Sequence, residues 1–142
     1  MSEYAVSHIG IAVKDLPEAI ARYSLITGDD NPGVTQVDSQ KARVAIFAVS
    51  SAHGGTPGAR IELVAPTSAD SPVARFLEKR GEGLHHVCLY VEDIEQKLTA
   101  LKAAGVRLID ETPRRGAEGN RIAFVHPSGS NGVLIELEEM PK

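Results

Sequence analysis

Two short stretches of alternating small and large residues mark equivalent places in the two halves of the chain. In residues 8–13 a histidine, a glycine and an alanine alternate with large aliphatic residues, and residues 86–91 repeat the alternation with histidine, cysteine and tyrosine. Since successive side chains of a strand point to opposite faces, both stretches predict a strand that carries its histidine opposite the aliphatic face. Asp15 and Asp93, which follow at equal distances, are typical N-caps of the helices that come next. The chain therefore contains an internal repeat.

The hydrophobic pattern between these markers predicts the same order of elements in both halves, β-α-β-β-β. The predicted strands are 5–13, 34–37, 43–49 and 60–64 in the first half and 83–91, 106–109, 121–125 and 132–138 in the second. The predicted helices are 15–27 and 94–104, with a connecting helix at 71–81 that Ser71 caps and Pro72 begins. We expect polar loops at 50–58 and 112–120. The prediction is one α+β domain over 1–142, made of two modules, about 5–66 and 83–138.

Each half ends on an apolar strand that contains one carboxylate, Glu62 in the first half and Glu136 in the second. A carboxylate among aliphatic side chains is costly to bury unless it is paired or binds a metal. Histidine and glutamate recur at matching places, which favours a shared metal site over two isolated core histidines. The residues therefore predict a metal site formed by His8, Glu62, His86 and Glu136.

The composition places the chain among ordinary soluble globular proteins. Its 142 residues include 42% hydrophobic and 24% charged side chains, and the net charge is −4. Because this balance offers no basic surface to neutralise phosphates, nucleic acid is not expected as a partner. Cys88 is the only cysteine, which excludes an intrachain disulfide and fits a reducing compartment. With no apolar run of membrane-spanning length and no signal-peptide pattern, we expect a cytoplasmic protein without membrane contact.

Several motifs span nearly the whole chain: residues 8–13, 70–74 with 83–86, 120–122, 126–127 and 132–137. In their order and spacing they resemble the motifs of the vicinal oxygen chelate superfamily, which includes glyoxalase I, and within it those of the methylmalonyl-CoA epimerases. The resemblance implies a half-open eight-stranded barrel built by both modules, with one divalent ion held by the four residues named above. Some family members carry Gln at the position of Glu62. Family epimerases also place a second carboxylate on the strand that matches residues 43–47, where this chain has none.

The activity implied by the resemblance is the epimerisation of methylmalonyl-CoA, an acyl-CoA, by a homodimeric isomerase. Cobalt is favoured by the family, while mixed nitrogen and oxygen ligands also leave Ni, Mn, Zn, Fe and Mg open. Glu136 is the predicted general base, with Glu62 as its counterpart in the other module. Two alternatives stay open. One is another enzyme of the superfamily, such as lactoylglutathione lyase (glyoxalase I), and the other is a metal-free protein of the same fold that binds a small molecule.

Four residues outside the proposed ligands are candidates for substrate contacts. Tyr90 shares the face of His86 and is expected to line a pocket. Arg114 and Arg115 lie in a polar loop and are candidates to meet the phosphates of coenzyme A. Asn120 is a candidate donor to a substrate carboxylate.

The remaining histidines and acidic residues are expected to have no catalytic role. His85 points away from the face of His86, while His53 and His126 lie in turn-rich segments. Cys88 has no adjacent base and is not expected to act as a nucleophile. Glu138 shares a face with Glu136, but its place near the C-terminus predicts that it is exposed.

Overall fold

The computed structural model describes residues 4–47 and 59–141. These residues form eight β-strands and three α-helices in the order β-α-β-β-β, α, β-α-β-β-β. The strands are β1 (Ala5–Ala12), β2 (Gly33–Val37), β3 (Ala42–Phe47), β4 (Arg60–Pro66), β5 (Gly83–Val91), β6 (Arg114–Arg115), β7 (Arg121–Val125) and β8 (Ile135–Glu139). The helices are α1 (Leu16–Thr27), α2 (Pro72–Arg80) and α3 (Ile94–Ala103). Two compact units result, one of residues 8–85 and one of residues 4–7 with 86–141.

In the unit of residues 8–85 the strand order is β2-β3-β4-β1. Strands β2, β3 and β4 pair antiparallel, whereas β1 runs parallel to β4. Helix α1 buries Leu16 and Ala19 in a core that also contains Phe47 and Leu63, with Tyr23 partly buried against it. Because β1 and β4 lie side by side, residues far apart in the sequence of this unit are brought next to each other.

The unit of residues 4–7 and 86–141 repeats this arrangement with the strand order β5-β8-β7-β6. Strand β5 runs parallel to β8, and the other pairs are antiparallel. Helix α3 buries Ile94 and Leu98 against Val91, Ala123 and Leu137. The aliphatic face of each histidine strand thus covers a helix-packed core, as the alternation predicts.

The predicted helix caps are all present. Asp15 accepts a hydrogen bond from the Glu18 amide at 3.1 Å, and Asp93 accepts one from the Gln96 amide at 3.0 Å. Ser71 accepts one from the Val73 amide at 3.1 Å. These bonds satisfy amide groups that the first helical turn leaves without a backbone acceptor. The cap residues fix where each helix begins.

The segment 106–109 differs from the prediction of a strand. Only Leu108 forms a bridge, to Val125, within this segment. The Phe124 amide donates to the side chain of Asp110 at 2.9 Å, so a carboxylate takes the place of a strand carbonyl and interrupts the ladder. The edge of the sheet is formed instead by β6, within the segment 112–120 that is predicted as a loop.

Strand β8 begins at Ile135 and not at residue 132, since Gly132 adopts a φ of 92° and its amide bonds to the Pro127 carbonyl in a turn. The end of the predicted strand 43–49 and all of the predicted loop 50–58, including His53, lie outside the described residues. Among the helices in the described part of the chain, none has the length and apolar character needed to cross a membrane.

Candidate active site

The first pair of candidate residues lies on the neighbouring strands β1 and β4. His8 and Glu62 are buried, with exposed fractions of 4% and 2%. The His8 Nδ1 atom lies 3.2 Å from Oε2 of Glu62. In the parallel register Glu62 stands beside Gly10, two residues beyond His8. The His8 imidazole therefore reaches along its strand to meet the carboxylate.

The second pair, His86 and Glu136, repeats this geometry on β5 and β8. Both side chains are 5% exposed, and Nε2 of His86 lies 3.1 Å from Oε1 of Glu136. Glu136 stands beside Cys88, which is again two residues beyond the histidine. The sequence repeat is therefore also a repeat of side-chain contacts, with one imidazole–carboxylate pair in each unit.

The two pairs have the chemistry of metal ligands. Imidazole nitrogen and carboxylate oxygen together suit first-row divalent ions, and His8, His86 and Glu136 are all buried groups of the metal-ligating type. A buried carboxylate loses its hydration, so it requires a compensating partner such as an imidazole proton or a cation. Each of the two buried carboxylates has an imidazole as its neighbour, and both pairs are compatible with metal binding.

Glu138 is buried, which corrects the prediction that it is exposed. Its exposed fraction is 3%, and its carboxylate accepts hydrogen bonds from the Ser7 hydroxyl at 2.7 Å and from Nδ2 of Asn120 at 2.6 Å. The thiol of Cys88 lies 3.6 Å from the same carboxylate. Proximity to the C-terminus was the wrong guide, because β8 is a paired inner strand. The alternation that places Glu138 on the face of Glu136 was the correct signal.

Arg114 packs on an aromatic ring that contacts His86, while Arg115 is exposed and bonds within its own loop. The Arg114 guanidinium carbon stands 5.4 Å from the centre of the Phe124 ring, and that ring contacts His86 edge-on at 6.1 Å between ring centres. Asp110 pairs with Arg114 at 3.4 Å. Arg115 is exposed and donates to the Gly119 carbonyl at 2.7 Å. Arg114 and Arg115 were predicted to have the same role, but their surroundings in the structure differ.

Tyr90 and Asn120 are both half-buried and both adjoin Glu138. Tyr90 stands opposite Glu138 in the register of β5 and β8, and Asn120 contacts it through the side-chain amide. Glu138 thus lies next to two of the four residues predicted to meet substrate.

His85 and His126 have local contacts. The His85 ring lies edge-on to Phe76, with 4.8 Å between ring centres. The Nδ1 atom of His126 accepts a hydrogen bond from the Ser128 amide at 3.0 Å and so stabilises the turn before β8. Both contacts are of a structural kind.

The chain matches known proteins over nearly its full length. Residues 7–124 match the family model described as the Glyoxalase/Bleomycin resistance protein/Dioxygenase superfamily. The protein YqjC of Bacillus subtilis is 42% identical over 134 residues, which cover 94% of this chain and 91% of that protein. The ethylmalonyl-CoA/methylmalonyl-CoA epimerase of Cereibacter sphaeroides is 38% identical over 137 residues, which cover 95% of this chain and 97% of the relative.

Solved structures share the fold. A methylmalonyl-CoA epimerase in complex with methylmalonyl-CoA and NH4+ superposes with a TM-score of 0.88 at 33% identity, covering 97% of this chain and 95% of that one. The predicted fold class, α+β with two βαβββ modules of the vicinal oxygen chelate type, is thereby confirmed. The chain belongs to the glyoxalase/bleomycin resistance protein/dioxygenase superfamily and, within it, to the family of methylmalonyl-CoA epimerases, which are isomerases acting on an acyl-CoA.

Proposed function

We propose that this chain interconverts the R and S epimers of methylmalonyl-CoA. The observation that carries the proposal is the repeated buried contact between imidazole and carboxylate, His8 with Glu62 and His86 with Glu136. Two comparisons support the choice of substrate. Relatives are named after this reaction, and the solved structure of one epimerase contains methylmalonyl-CoA.

The same four side chains are proposed to hold one divalent ion per chain. Two neutral imidazoles and two carboxylates would hold the ion and balance its charge. Cobalt is favoured by the family resemblance over Ni, Mn, Zn, Fe and Mg. When bound, the ion supplies Lewis-acid stabilisation of the negative charge that develops as the substrate loses its proton.

Glu136 is proposed as the general base. The carbon between the thioester and the carboxylate of methylmalonyl-CoA carries the proton that has to move. A carboxylate oxygen removes this proton, and the return of a proton to the opposite face of the same carbon gives the other epimer. Glu62, at the equivalent position in the other unit, is the pseudo-symmetric counterpart. The reaction consumes no oxidant and no second substrate.

Solvent exchange tests this reaction directly. Methylmalonyl-CoA is incubated in D2O with the protein and a divalent metal, and NMR follows the loss of the proton and the appearance of the second epimer. We expect exchange and epimerisation far above the rate with EDTA-treated protein. Failure to exceed that control would contradict the proposal.

The same experiment separates the two other functions. Turnover of the hemithioacetal of glutathione, without exchange in methylmalonyl-CoA, would assign the chain to glyoxalase chemistry. Tight binding of a small molecule, without turnover of either compound, would assign it to the metal-free binding proteins of this fold.

The proposal also covers the substrate contacts, the cellular location and the oligomeric state. Tyr90, Arg114, Arg115 and Asn120 are the candidate contacts with the acyl-CoA, of which Arg114 and Asn120 have the stronger structural support. We infer a cytoplasmic location and a homodimer. Sedimentation analysis at several protein concentrations tests the homodimer.

A further inference from the structure

Arg114 lies on the face of the sheet that carries the second imidazole–carboxylate pair. In the pairing of β6 with β7, Arg114 stands opposite Ile122. In the pairing of β7 with β8, Phe124 stands opposite Glu136. Residues that stand opposite each other share a face, and so do residues two positions apart in one strand. Arg114 and Glu136 are therefore on the same face, with Phe124 between them.

This face carries one guanidinium group and no ammonium group along β5 to β8. The other arginines of these four strands are Arg115 and Arg121, which stand opposite each other and alternate to the other face. Arg121 is paired there with Glu139 at 2.9 Å. The strands contain no lysine. Arg114 is thus the permanent positive charge that β5 to β8 present beside Glu136.

Two neighbours hold the guanidinium of Arg114. One oxygen of the Asp110 carboxylate lies 3.4 Å from Nε, and the other accepts the Phe124 amide at 2.9 Å. The guanidinium carbon lies 5.4 Å from the centre of the Phe124 ring, and that ring contacts the His86 ring edge-on. Pairing and stacking restrict an otherwise flexible side chain. Because 34% of the side chain is exposed, a ligand can still reach it.

An acyl-CoA with a free acid group brings a charge that the proposed metal site does not balance. Glu62 and Glu136 already offset the two positive charges of a divalent ion, and the neutral imidazoles add none. A further carboxylate in buried surroundings is unfavourable without a cation nearby. A guanidinium is always charged and matches a carboxylate with two parallel N–H bonds.

The acid group and the phosphates of the ligand lie far apart. In the proposed reaction Glu136 takes the proton from the carbon that bears the acid group, so this group must lie close to Glu136. The phosphates are separated from that carbon by the thioester and the whole pantetheine arm. A cation on the face of Glu136 therefore suits the acid group better than the phosphates that the sequence assigns to Arg114.

We propose that Arg114 binds the free carboxylate of the acyl group and so selects acyl-CoAs whose reacting carbon bears an acid group. The inference rests on the proposed function for the class of ligand and for Glu136 as the base. Asp110 and Phe124 hold the guanidinium in place for this contact. Arg115, the next residue in the chain, has no part in it.

Calorimetric binding of two ligands to the Co2+-loaded protein tests this assignment. Propionyl-CoA has the same arm and phosphates but lacks the acid group, and an equilibrated mixture of the methylmalonyl-CoA epimers does not change during the measurement. Arg114→Gln should raise the Kd of methylmalonyl-CoA about 10- to 100-fold, as expected for charged hydrogen bonds, and leave that of propionyl-CoA within about twofold. Equal increases for both ligands would assign Arg114 to a phosphate. That result, or no change for either ligand, contradicts the proposal.

Arg114→Lys separates a lost contact from a damaged sheet. Lysine keeps the charge but not the planar fork, so the Kd of methylmalonyl-CoA should lie between those of the native protein and Arg114→Gln. The Kd of propionyl-CoA should again stay unchanged. A lowered Tm together with weaker binding of both ligands would show a purely structural role for Arg114 and would overturn the proposal.

Arg115→Gln is the matched control. It removes the same charge one residue away, where the side chain is exposed and donates to the Gly119 carbonyl at 2.7 Å. Both Kd values should stay within about twofold of the native values. A loss equal to that of Arg114→Gln would mean that the net charge of this segment governs binding, against the proposal.

The binding experiment fails separately from the proposed reaction. If the native protein binds methylmalonyl-CoA no more tightly than propionyl-CoA, the role of Arg114 falls, whereas solvent exchange still tests the reaction. Selective binding that depends on Arg114, without epimerisation, supports the carboxylate contact and removes only the reaction.

Discussion

Glu62 and Glu136 have the same kind of neighbour but different proposed duties. Each is buried and contacts one imidazole, His8 through Nδ1 and His86 through Nε2. A ligand needs an oxygen with a free electron pair, which an amide also offers, whereas a general base needs a group that can take up a proton. Replacement by glutamine therefore separates the two duties.

We expect Glu62→Gln to retain the metal and to lose less than about tenfold in kcat, because the amide oxygen can still act as a ligand. Glu136→Gln should fold but lose about 10²- to 10⁴-fold in kcat, the range that a general base contributes. Steady-state kinetics and metal analysis of both variants are the measurements. Equal and severe losses would mean that the two carboxylates share the proton transfer.

Residue-level patterns predict where a side chain points better than what it touches. The alternation in β8 places Glu136 and Glu138 on one face, which the register confirms. The contacts of Glu138 with Ser7 and Asn120 join positions 131 and 18 residues apart. No local pattern contains such a contact, so the partners of Glu138 were not predictable, although the alternation pointed to its burial.

At the scale of elements, the helix ends were predictable because their cause is local. Asp15, Ser71 and Asp93 each cap a helix with an oxygen that lies two or three residues from the amide it accepts. The strand predicted at 106–109 was wrong, because the Phe124 amide that would complete it bonds to the side chain of Asp110. This hydrogen bond depends on how two segments that lie 14 residues apart pack together.

Ser71 gives the sharpest test at this scale. Its hydroxyl accepts from the Val73 amide and also donates to the Gln40 carbonyl at 3.1 Å, so it links α2 to the turn before β3. Ser71→Ala should lower the free energy of unfolding by about 1–2 kcal/mol, since the cap is lost and a carbonyl loses its donor.

Urea unfolding at a fixed protein concentration measures this loss. Ser68→Ala is the matched control, because Ser68 is exposed and its hydroxyl donates to the side chain of Asp70 at 2.6 Å within the same turn. It should change the free energy of unfolding by less than about 0.5 kcal/mol. Equal losses in both variants would contradict a special role for the cap.

At the scale of the whole molecule, the repeat divides the proposed metal ligands equally. Residues 8–85 supply His8 and Glu62, and residues 86–141 supply His86 and Glu136. The sequence predicted both pairs because each rests on alternation and on one parallel register. Thermal unfolding of the protein tests whether a single ion binds both pairs.

A ligand that binds only the folded state stabilises it in proportion to the logarithm of its concentration. At a free metal concentration of about 1,000 times Kd the gain is about 4 kcal/mol, or roughly 10 °C in Tm for a chain of this size. We expect this rise with Co2+ and its reversal by EDTA, measured by calorimetry at constant protein concentration. If one ion needs both pairs, His8→Ala and His86→Ala should each abolish the rise, while His85→Ala, whose ring packs on Phe76, should keep it. A rise that persists in only one of the first two variants would place the ion on a single pair and contradict the four-residue site.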